Sequence, residues 1–259
     1  MLRNAQDAEQ LLLGEVFVLN KIRVRFLRKD EVKYISHLDL MKFFERAIRR
    51  AGLPIAYSHG FNPHPQMVFG LPLSVGVTSE AEYADFELTE PVTPEDFMDK
   101  LNRQLPSGLR VISAKHLNAK SNIMKSITRA SYTVIISWMG EGGIDGVKAA
   151  VRAFFGQGEV LVQKKGKKGM KEVNIRPMVY DLEVKTFSDI CISEYKEDSA
   201  CILMTVDAGI DSNLKPELVI SSLNDLSGMD INVEKVHRTA LYVNSDGSVL
   251  DPMNENALL

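Results

Sequence analysis

KIRVRFLRKDEVKYISHLDLMKFFERAIRRAG, residues 21–52, predicts a strand followed by a helix. Its first apolar residues are spaced two apart: Ile22, Val24 and Phe26. This period is typical of a β-strand with one face on a core. Ser36 and Asp39 have the Ser-x-x-acid spacing of a helix N-terminus, and Gly52 is suited to the C-terminus. We therefore expect the helix to run between these two signals.

Strand and helix signals continue through the rest of the first half. Extended runs lie at 54–57, 68–73, 83–88 and 109–112. Thr93 and Pro94 are suited to the N-cap and first turn of a second helix, because the threonine hydroxyl can accept from the helix start and no proline N–H is needed there. The order strand, helix, strand, strand, helix, strand is the split β-α-β pattern.

The same order recurs in the second half, although the two halves share no sequence repeat. Extended runs lie at 132–138, 160–163, 176–187, 201–207 and 233–243. Helical patterns lie at 144–155 and from Pro216 onward. We therefore predict an α+β chain of two tandem ferredoxin-like (β-α-β-β-α-β) domains with antiparallel sheets. The expected segments are an N-terminal extension at 1–20, domains at 21–117 and 131–243, a linker at 118–130 and a mobile tail at 244–259.

Composition limits the class of protein. The 259 residues are 45% hydrophobic and 25% charged, which is typical of a globular chain of about two domains. Apolar runs such as Val134–Met139 are far shorter than the roughly 20 residues of a membrane helix, and the acidic N-terminus does not resemble a signal peptide. We expect a cytoplasmic protein without membrane contact. A net charge of -3 excludes a globally basic nucleic-acid binder but not a local basic groove.

Cysteine and histidine usage argues against a bound metal or cofactor. Cys191 and Cys201 are the only cysteines, too few for a zinc ribbon or an iron–sulfur cluster within this chain. His37, His59 and His64 could in principle share one metal, but their spacing matches no recognised motif. We therefore expect no metal, no cofactor and two buried thiols.

The first helix carries a row of positive charge. Its basic residues follow at spacings of four, three and one: Lys42, Arg46, Arg49 and Arg50. Lys42, Arg46 and at least one of the last two therefore share one helix face. This row could bind nucleic-acid phosphates. The alternative is a solvated stripe that is partly paired through Glu45 and Arg49.

The start of the same helix offers candidates for catalysis. His37 lies beside the cap, where an imidazole near backbone N–H groups could contact a phosphate or move a proton. Asp39 has a structural explanation as the capping partner of Ser36, which we favour over a catalytic role.

The loop SHGFNPHPQ, residues 58–66, is a second candidate site. It holds His59 and His64 five residues apart, Asn62 beside the prolines, and a glycine, Gly60, that is free to turn. This composition indicates a loop that is preorganised for binding or catalysis. The alternative is a tight turn, with cis or trans proline, whose histidines are only solvated.

The basic loop at residues 163–171 is the third candidate. Its lysines are separated by glycines: Lys164, Lys165, Lys167, Lys168 and Lys171. Lysine and glycine together predict a flexible cationic finger that neutralises phosphates without reading bases. Residues 174–177, which include Arg176, could form its fixed base. The alternative is a solvated hairpin tip.

Two stretches of the chain resemble one bacterial family. YISHLDLMKFFERAIRRAGLPIAYSHGFNPHPQMVFGLPLSVGVTSEAEYADFEL, residues 34–88, closely resembles the radical-SAM-linked proteins of unknown function, which are encoded beside or fused to a radical-SAM enzyme. KKGKKGMKEVNIRP, residues 164–177, resembles the second recurrent element of that family. The resemblance covers roughly residues 21–243 and implies a radical-SAM enzyme as partner. It marks one set of matching positions as a functional surface: His37, Asp39, Gly60, Phe61, Asn62, Pro63, His64, Pro65 and Arg176.

The layout is also similar to tandem ferredoxin-like RNA-processing proteins, namely the repeat-processing endonucleases of CRISPR systems and the pseudouridine synthases. The chain departs from both patterns. Its C-terminal region holds only Gly228 where the endonucleases carry a glycine-rich loop. Residues 237–243 have the Arg and Thr of the synthase motif without its Asp.

The leading hypothesis is an RNA-binding accessory protein that acts with a radical-SAM enzyme in RNA or ribonucleoprotein modification. One alternative is an RNA-processing or RNA-modifying enzyme with His37 or His64 as general acid or base. Another is a structural partner of the radical-SAM enzyme, without RNA contact, that offers Phe61, Met67 and Phe69 as apolar contacts. The expected RNA-binding residues are Lys42, Arg46, Arg49, Arg50, His59, Asn62, His64, Lys164, Lys165, Lys167, Lys168, Lys171 and Arg176.

Overall fold

The structure is a computed structural model that describes residues 20–117, 122–166, 169–188, 198–245 and 247–254. It divides into two compact units. The first unit comprises the described residues up to Ile127 together with those from Tyr242 onward, and the second is Thr128–Leu241. Of the expected N-terminal extension only Asn20 is described, and it is buried.

The first unit is an antiparallel sheet with helices packed on it. Its strands are β1 (Lys21–Arg28), β2 (Met67–Phe69), β3 (Thr78–Glu87) and β4 (Leu109–His116). Its helices are α1 (His37–Ala51), α2 (Pro94–Asn102) and the four-residue α3 (Ile123–Ser126). Strand β1 pairs with β3 and β4, and β2 pairs with β3, all antiparallel, so the order is β2-β3-β1-β4.

One face of this sheet forms the core with α1 and α2. The alternating residues of β1 point into it as expected: Ile22, Val24 and Phe26 are at most 1% exposed. Phe44 of α1 lies at the centre, with its ring centroid 5.0 Å from that of Phe26 and 5.2 Å from that of Phe69. The apolar spacing of the sequence therefore determines which sheet face the helices cover.

The start of α1 is held by a cap and by a buried arginine. The Asp39 N–H donates to Ser36 Oγ at 3.2 Å, and the Ser36 hydroxyl donates to Asp39 Oδ2 at 2.7 Å. The guanidinium of Arg28, 1% exposed, donates to the backbone carbonyls of Lys33 and Ile35 just before the helix. Gly52 ends α1 with a φ of +64°. Both predicted helix ends are confirmed.

The second unit consists of antiparallel strands, two helices and a hairpin. Its strands are β5 (Ile127–Met139), β6 (Leu161–Gly166), β7 (Gly169–Asn174), β8 (Val179–Lys185), β9 (Ser199–Asp207) and β10 (Asp230–Ser245). Its helices are α4 (Gly143–Gly156) and α5 (Pro216–Ser227). Strands β5 and β8 both pair antiparallel with β9, in the order β10-β5-β9-β8. Strands β6 and β7 pair only with each other.

The prediction of an α+β chain with antiparallel strand pairing is confirmed, with local differences. Residues 54–57 form only isolated bridges instead of a strand. Residues 160–163, predicted as a strand before the basic loop, lie at the start of the β6–β7 hairpin. Residues 176–178 form a 3-10 turn before β8, because Pro177 has no N–H for a sheet ladder. None of the helices in the described part of the chain has the length and apolar character to cross a bilayer.

The segment from residue 244 differs from the mobile tail that we predicted. Strand β11 (Ser248–Leu250) pairs antiparallel with the end of β10. Arg23 Nη1 donates to the Pro252 carbonyl, and Lys115 Nζ donates to the Met253 carbonyl, each at 3.1 Å. Residues 247–254 are therefore part of the first unit, because cations of β1 and β4 bind their backbone. Residues 246 and 255–259 lie outside the described residues.

The segment predicted as a linker, residues 118–130, forms a helix and part of a strand in its described portion. Residues 118–121 lie outside the described part. Asn122 caps α3, with its Oδ1 accepting from the Lys125 N–H at 3.4 Å. Residues 127–130 already belong to β5.

Candidate binding cleft beside the histidine loop

The histidine loop, residues 58–66, is closed at its base by two hydrogen bonds. The Ser58 N–H donates to the His64 carbonyl at 2.8 Å, and the His64 N–H donates to Ser58 Oγ at 3.0 Å. Gly60 has a φ of +128°, which favours glycine. No described peptide bond is cis. The loop is therefore a closed turn with trans prolines.

Both ends of the histidine loop are tied to the end of β3. The Ala56 N–H donates to the Glu87 carbonyl at 2.8 Å, and the Glu87 N–H donates to the Gln66 carbonyl at 3.1 Å. The Gln66 N–H donates in turn to the Ala56 carbonyl at 2.8 Å. These bonds hold the backbone on both sides of the loop against the end of β3.

A cleft of about 530 Å³ lies beside the histidine loop. The loop lines it with polar side chains: Ser58, His59, His64 and Gln66. Apolar lining comes from Met67, Val68, Phe86 and Leu117. This volume and this mixture of surfaces are typical of small-ligand sites, which occupy roughly 300–1,000 Å³.

Two ion pairs lie at the edge of the cleft, and the sequence analysis did not predict them. Arg23 binds Asp85 through Nε–Oδ1 at 2.6 Å and Nη2–Oδ2 at 2.9 Å. Lys21 Nζ lies 3.4 Å from Glu87 Oε2. The register of β1 on β3 places each basic residue opposite its acid. The sequence signal for these pairs was the alternation of basic residues in β1 and of acidic residues in β3, two strands that are distant in sequence.

The histidines do not share one site. His59 and His64 line the cleft, and the Asn62 amide nitrogen lies 3.3 Å from His64 Nε2. His37 is not part of the cleft lining. Its ring packs edge-on against Phe69 at 6.0 Å between centroids.

The surroundings of His37 oppose its protonation. Burial lowers the pKa of the imidazole below its ordinary value, and the charge of Arg28 acts in the same direction. The carboxylate of Glu82 partly offsets both effects. Within the described residues, no three His, Cys, Asp or Glu side chains come together as a metal site.

The basic row on α1 is largely free. Lys42, Arg46 and Arg49 are exposed, and none has an ion-pair or hydrogen-bond partner among the residues that the structure describes. The pairing of Arg49 with Glu45 that would neutralise the row is not formed. Arg50 differs, because its Nη2 donates to the Gln104 carbonyl at 2.7 Å. As far as the described residues show, three cations without an ion-pair partner therefore share one helix face.

The basic loop of the sequence is the β6–β7 hairpin. Lys164 Nζ donates to the Asn213 carbonyl at 2.8 Å, whereas Lys171 is exposed. Lys167 and Lys168 lie outside the described residues, and only the backbone of Lys165 is described. The hairpin therefore has at least one lysine that is engaged within the unit and one that is accessible.

Asn174 and Arg176, proposed as the base of the hairpin, make local contacts there. Asn174 Oδ1 accepts from the backbone N–H groups of Val160 and Arg176, at 3.1 and 3.0 Å. The Arg176 guanidinium lies 4.8 Å from the ring centroid of Phe155, which is a cation–π contact. Arg176 thus packs into the hairpin base and is only partly exposed.

The apolar residues of the structural-partner hypothesis differ in exposure. Phe61, at the tip of the histidine loop, is fully exposed. Met67 is half-buried. Phe69 is 4% exposed and belongs to the core, so its proposed role as a surface contact is wrong. Its ring packs against those of Phe26 and Phe44, at 6.1 and 5.2 Å between centroids.

The chain is similar in fold to a solved structure at low sequence identity. A chain in the crystal structure of a Cbf5–Nop10–Gar1 complex matches with a TM-score of 0.52 and 10% identity, over 88% of this chain and 50% of that one. A chain of the archaeal box H/ACA sRNP Nop10–Cbf5 complex matches with a TM-score of 0.45 and 10% identity, over 86% and 48%. The protein thus spans about half the length of these relatives.

Sequence comparison gives the family directly. No curated protein matches the chain by sequence. Residues 21–216 match the model of a family described as an uncharacterized protein conserved in bacteria, DUF2344. This match covers well over half of the chain. The protein therefore belongs to the bacterial DUF2344 family.

Proposed function

We propose that this protein is an RNA-binding accessory protein that acts with a radical-SAM enzyme in RNA or ribonucleoprotein modification. The RNA part rests on one observation, the exposed row formed by Lys42, Arg46 and Arg49 on α1, which has no partner within the described residues. The radical-SAM part rests on the resemblance of residues 34–88 to radical-SAM-linked proteins.

The spacing of the row suits a phosphate backbone. Its outer members, Lys42 and Arg49, are separated by about 10 Å along the helix axis. Like charges on neighbouring helix turns repel one another, and an anion laid along the row removes that repulsion. Contacts of this kind bind RNA without reading its sequence. In the second unit, Lys171 and its neighbours on the β6–β7 hairpin are proposed as a further phosphate contact.

The strand orders support a tandem ferredoxin-like architecture, which is part of the proposal. Both β2-β3-β1-β4 and β8-β9-β5-β10 follow the order expected for split β-α-β units. In the second unit the hairpin is an insertion before β8. Sheets of this plan leave one face without helices, and such faces serve as RNA platforms in other proteins.

The test is the salt dependence of RNA binding. Each phosphate neutralised contributes roughly 0.7 to the log–log slope for single strands, so replacing Lys42, Arg46 and Arg49 by serine should reduce the slope by about 2. The matched control replaces Lys29, Arg103 and Arg110, exposed residues of the same unit, and makes the same change in net charge. Absence of RNA binding at low salt, or equal effects of both variants, would contradict the proposal.

The partner is tested separately by affinity purification of the tagged chain from its bacterial host. A radical-SAM enzyme should be enriched in the bound fraction, and it should remain after ribonuclease treatment if the contact is direct. Recovery of RNA without any radical-SAM enzyme would support RNA binding and contradict the proposed partnership.

Catalysis by His64 is the second candidate function. It is favoured by the position of His64 in the cleft and by the contact of Asn62 with its ring at 3.3 Å. A general base needs an unprotonated nitrogen within reach of the substrate. Cleavage or modification of RNA by the purified chain alone, lost in His64→Ala, would support this function over an accessory role.

A further inference from the structure

The charges that line the cleft beside the histidine loop are compensated within the first unit. Both oxygens of Asp85 accept from Arg23, and Glu87 is paired with Lys21. A free phosphate would require a cation that has no ion-pair partner. Lys21, the lysine of the cleft, is already paired with Glu87. The cleft is therefore suited to a ligand that is polar but carries no charge where it binds.

Amide groups supply unused hydrogen-bonding capacity in this cleft. The backbone of Gln66 is bonded to Ala56 and Glu87, whereas its side-chain amide has no partner among the described residues. A carboxamide presents an acceptor and a donor in one plane, which matches the edge of a nucleobase. Carboxylates such as that of Glu87 can in addition accept from the exocyclic amine of a base.

Flat and apolar surfaces complete the lining. His59 and His64 bring imidazole rings, on which RNA bases stack in single-stranded recognition. Met67 and Val68 form apolar walls beside them. Because the base of the histidine loop is closed by hydrogen bonds, the backbone that carries these rings is held in place before a ligand arrives.

We propose that the cleft takes one unpaired RNA base, with the Gln66 amide on the base edge and an imidazole of the histidine loop against its face. The proposal rests on the proposed function, since the phosphate backbone of the same RNA is assigned to the α1 row. It adds what the first unit selects in the RNA, which is a nucleobase that is neither base-paired nor stacked on its neighbours.

The experiment compares a short single-stranded RNA with an abasic ribose–phosphate chain of equal length. Both offer the same phosphates to α1, and only the RNA offers bases. Stacking on one side chain is worth about 5-fold to 150-fold in affinity, so the RNA should bind tighter by such a factor. Gln66→Leu should reduce this preference and leave the affinity for the abasic chain unchanged. Gln157→Leu, at an exposed position of the second unit, is the matched control.

The outcomes separate the two proposals. Equal binding of RNA and abasic chain overturns the base site and leaves RNA binding intact. If neither chain binds, the RNA function fails, and the cleft is then tested with free nucleosides by following the Gln66 side-chain amide in NMR spectra. A saturable shift of that signal, lost in Gln66→Leu, retains the cleft as a nucleoside site, and no shift overturns it.

Discussion

Arg23 and Asp85 face each other across β1 and β3 in a two-bond ion pair, although 62 positions separate them in the sequence. The side chains are only 1% and 9% exposed. Removing one partner leaves the other charge buried and uncompensated. We therefore expect Asp85→Ala or Arg23→Ala to lower the free energy of unfolding by about 3–5 kcal/mol, measured by urea denaturation.

An exposed pair of the same unit serves as the control for this prediction. Lys100 and Asp96 lie one helix turn apart at 2.8 Å, and each is about half exposed. Such a pair contributes roughly 0.3–0.5 kcal/mol. If Asp85→Ala destabilises the protein no more than Lys100→Ala does, the buried pair is not the anchor that its geometry indicates.

The cap of α1 should be measurable in the same assay. Ser36→Ala removes the acceptor of the Asp39 N–H and should cost about 1 kcal/mol of unfolding free energy. Ser36→Asp retains an acceptor and should cost much less. Ser74→Ala, at an exposed serine outside any helix, is the control. Equal stability of the alanine and aspartate variants at position 36 would argue against the cap.

Stability should depend on pH through His37. Because burial lowers the pKa of His37 in the folded state, the unfolded chain binds the proton more readily below the ordinary value of about 6.5. The free energy of unfolding should therefore fall as pH decreases from about 6.5 through the lower folded pKa.

Two measurements check this dependence. The slope over that pH range should be smaller in His37→Gln, which lacks the titrating ring. An NMR titration of the His37 ring in the folded protein should give a pKa below 6.5. A folded-state pKa above 6.5 would reverse the sign of the effect and contradict the prediction.

Cys201 should be unreactive in the native protein. It is completely buried in β9, and burial raises the pKa of its thiol to about 11. The thiolate is the reactive form, so alkylation at mild alkaline pH should proceed only after unfolding. The measurement uses a Cys191→Ser variant, in which Cys201 is the one remaining thiol. Rapid labelling of the native variant would show that β9 opens readily.

The lysines of the hairpin should not be equivalent. Lys164 is bonded to the Asn213 carbonyl, so Lys164→Ser should lower stability while changing the salt slope of RNA binding little. Replacing Lys165, Lys167, Lys168 and Lys171 together by serine should reduce the slope by nearly 3, at roughly 0.7 per phosphate, with an unchanged unfolding midpoint. An unaltered slope would identify the hairpin as a solvated tip.

Local chemistry in the sequence determined the ends of α1 and the core face of β1. Ser36 and Gly52 mark the two ends of α1 correctly, because a capping hydroxyl and tolerance of positive φ are properties of the residues themselves. The apolar spacing of β1 likewise identified the core face, since side chains alternate across any strand. The histidine loop could be located by composition, although its closure by Ser58 and His64 could not.

Tertiary structure alone decided which charged groups are buried and what they bind. Alternation assigns Arg23 to the face away from the core, yet it is buried because Asp85 and the carbonyl of Pro252 lie against it. The contact with Pro252 spans 229 positions, and no local pattern encodes a pairing of that length. The same holds for Lys164, which resembles its neighbours in sequence but bonds to the carbonyl of Asn213. The desolvation of a charged side chain and the partner that it binds depend on the assembled fold. Helix caps and the alternation of a strand depend on residues that are close in the chain.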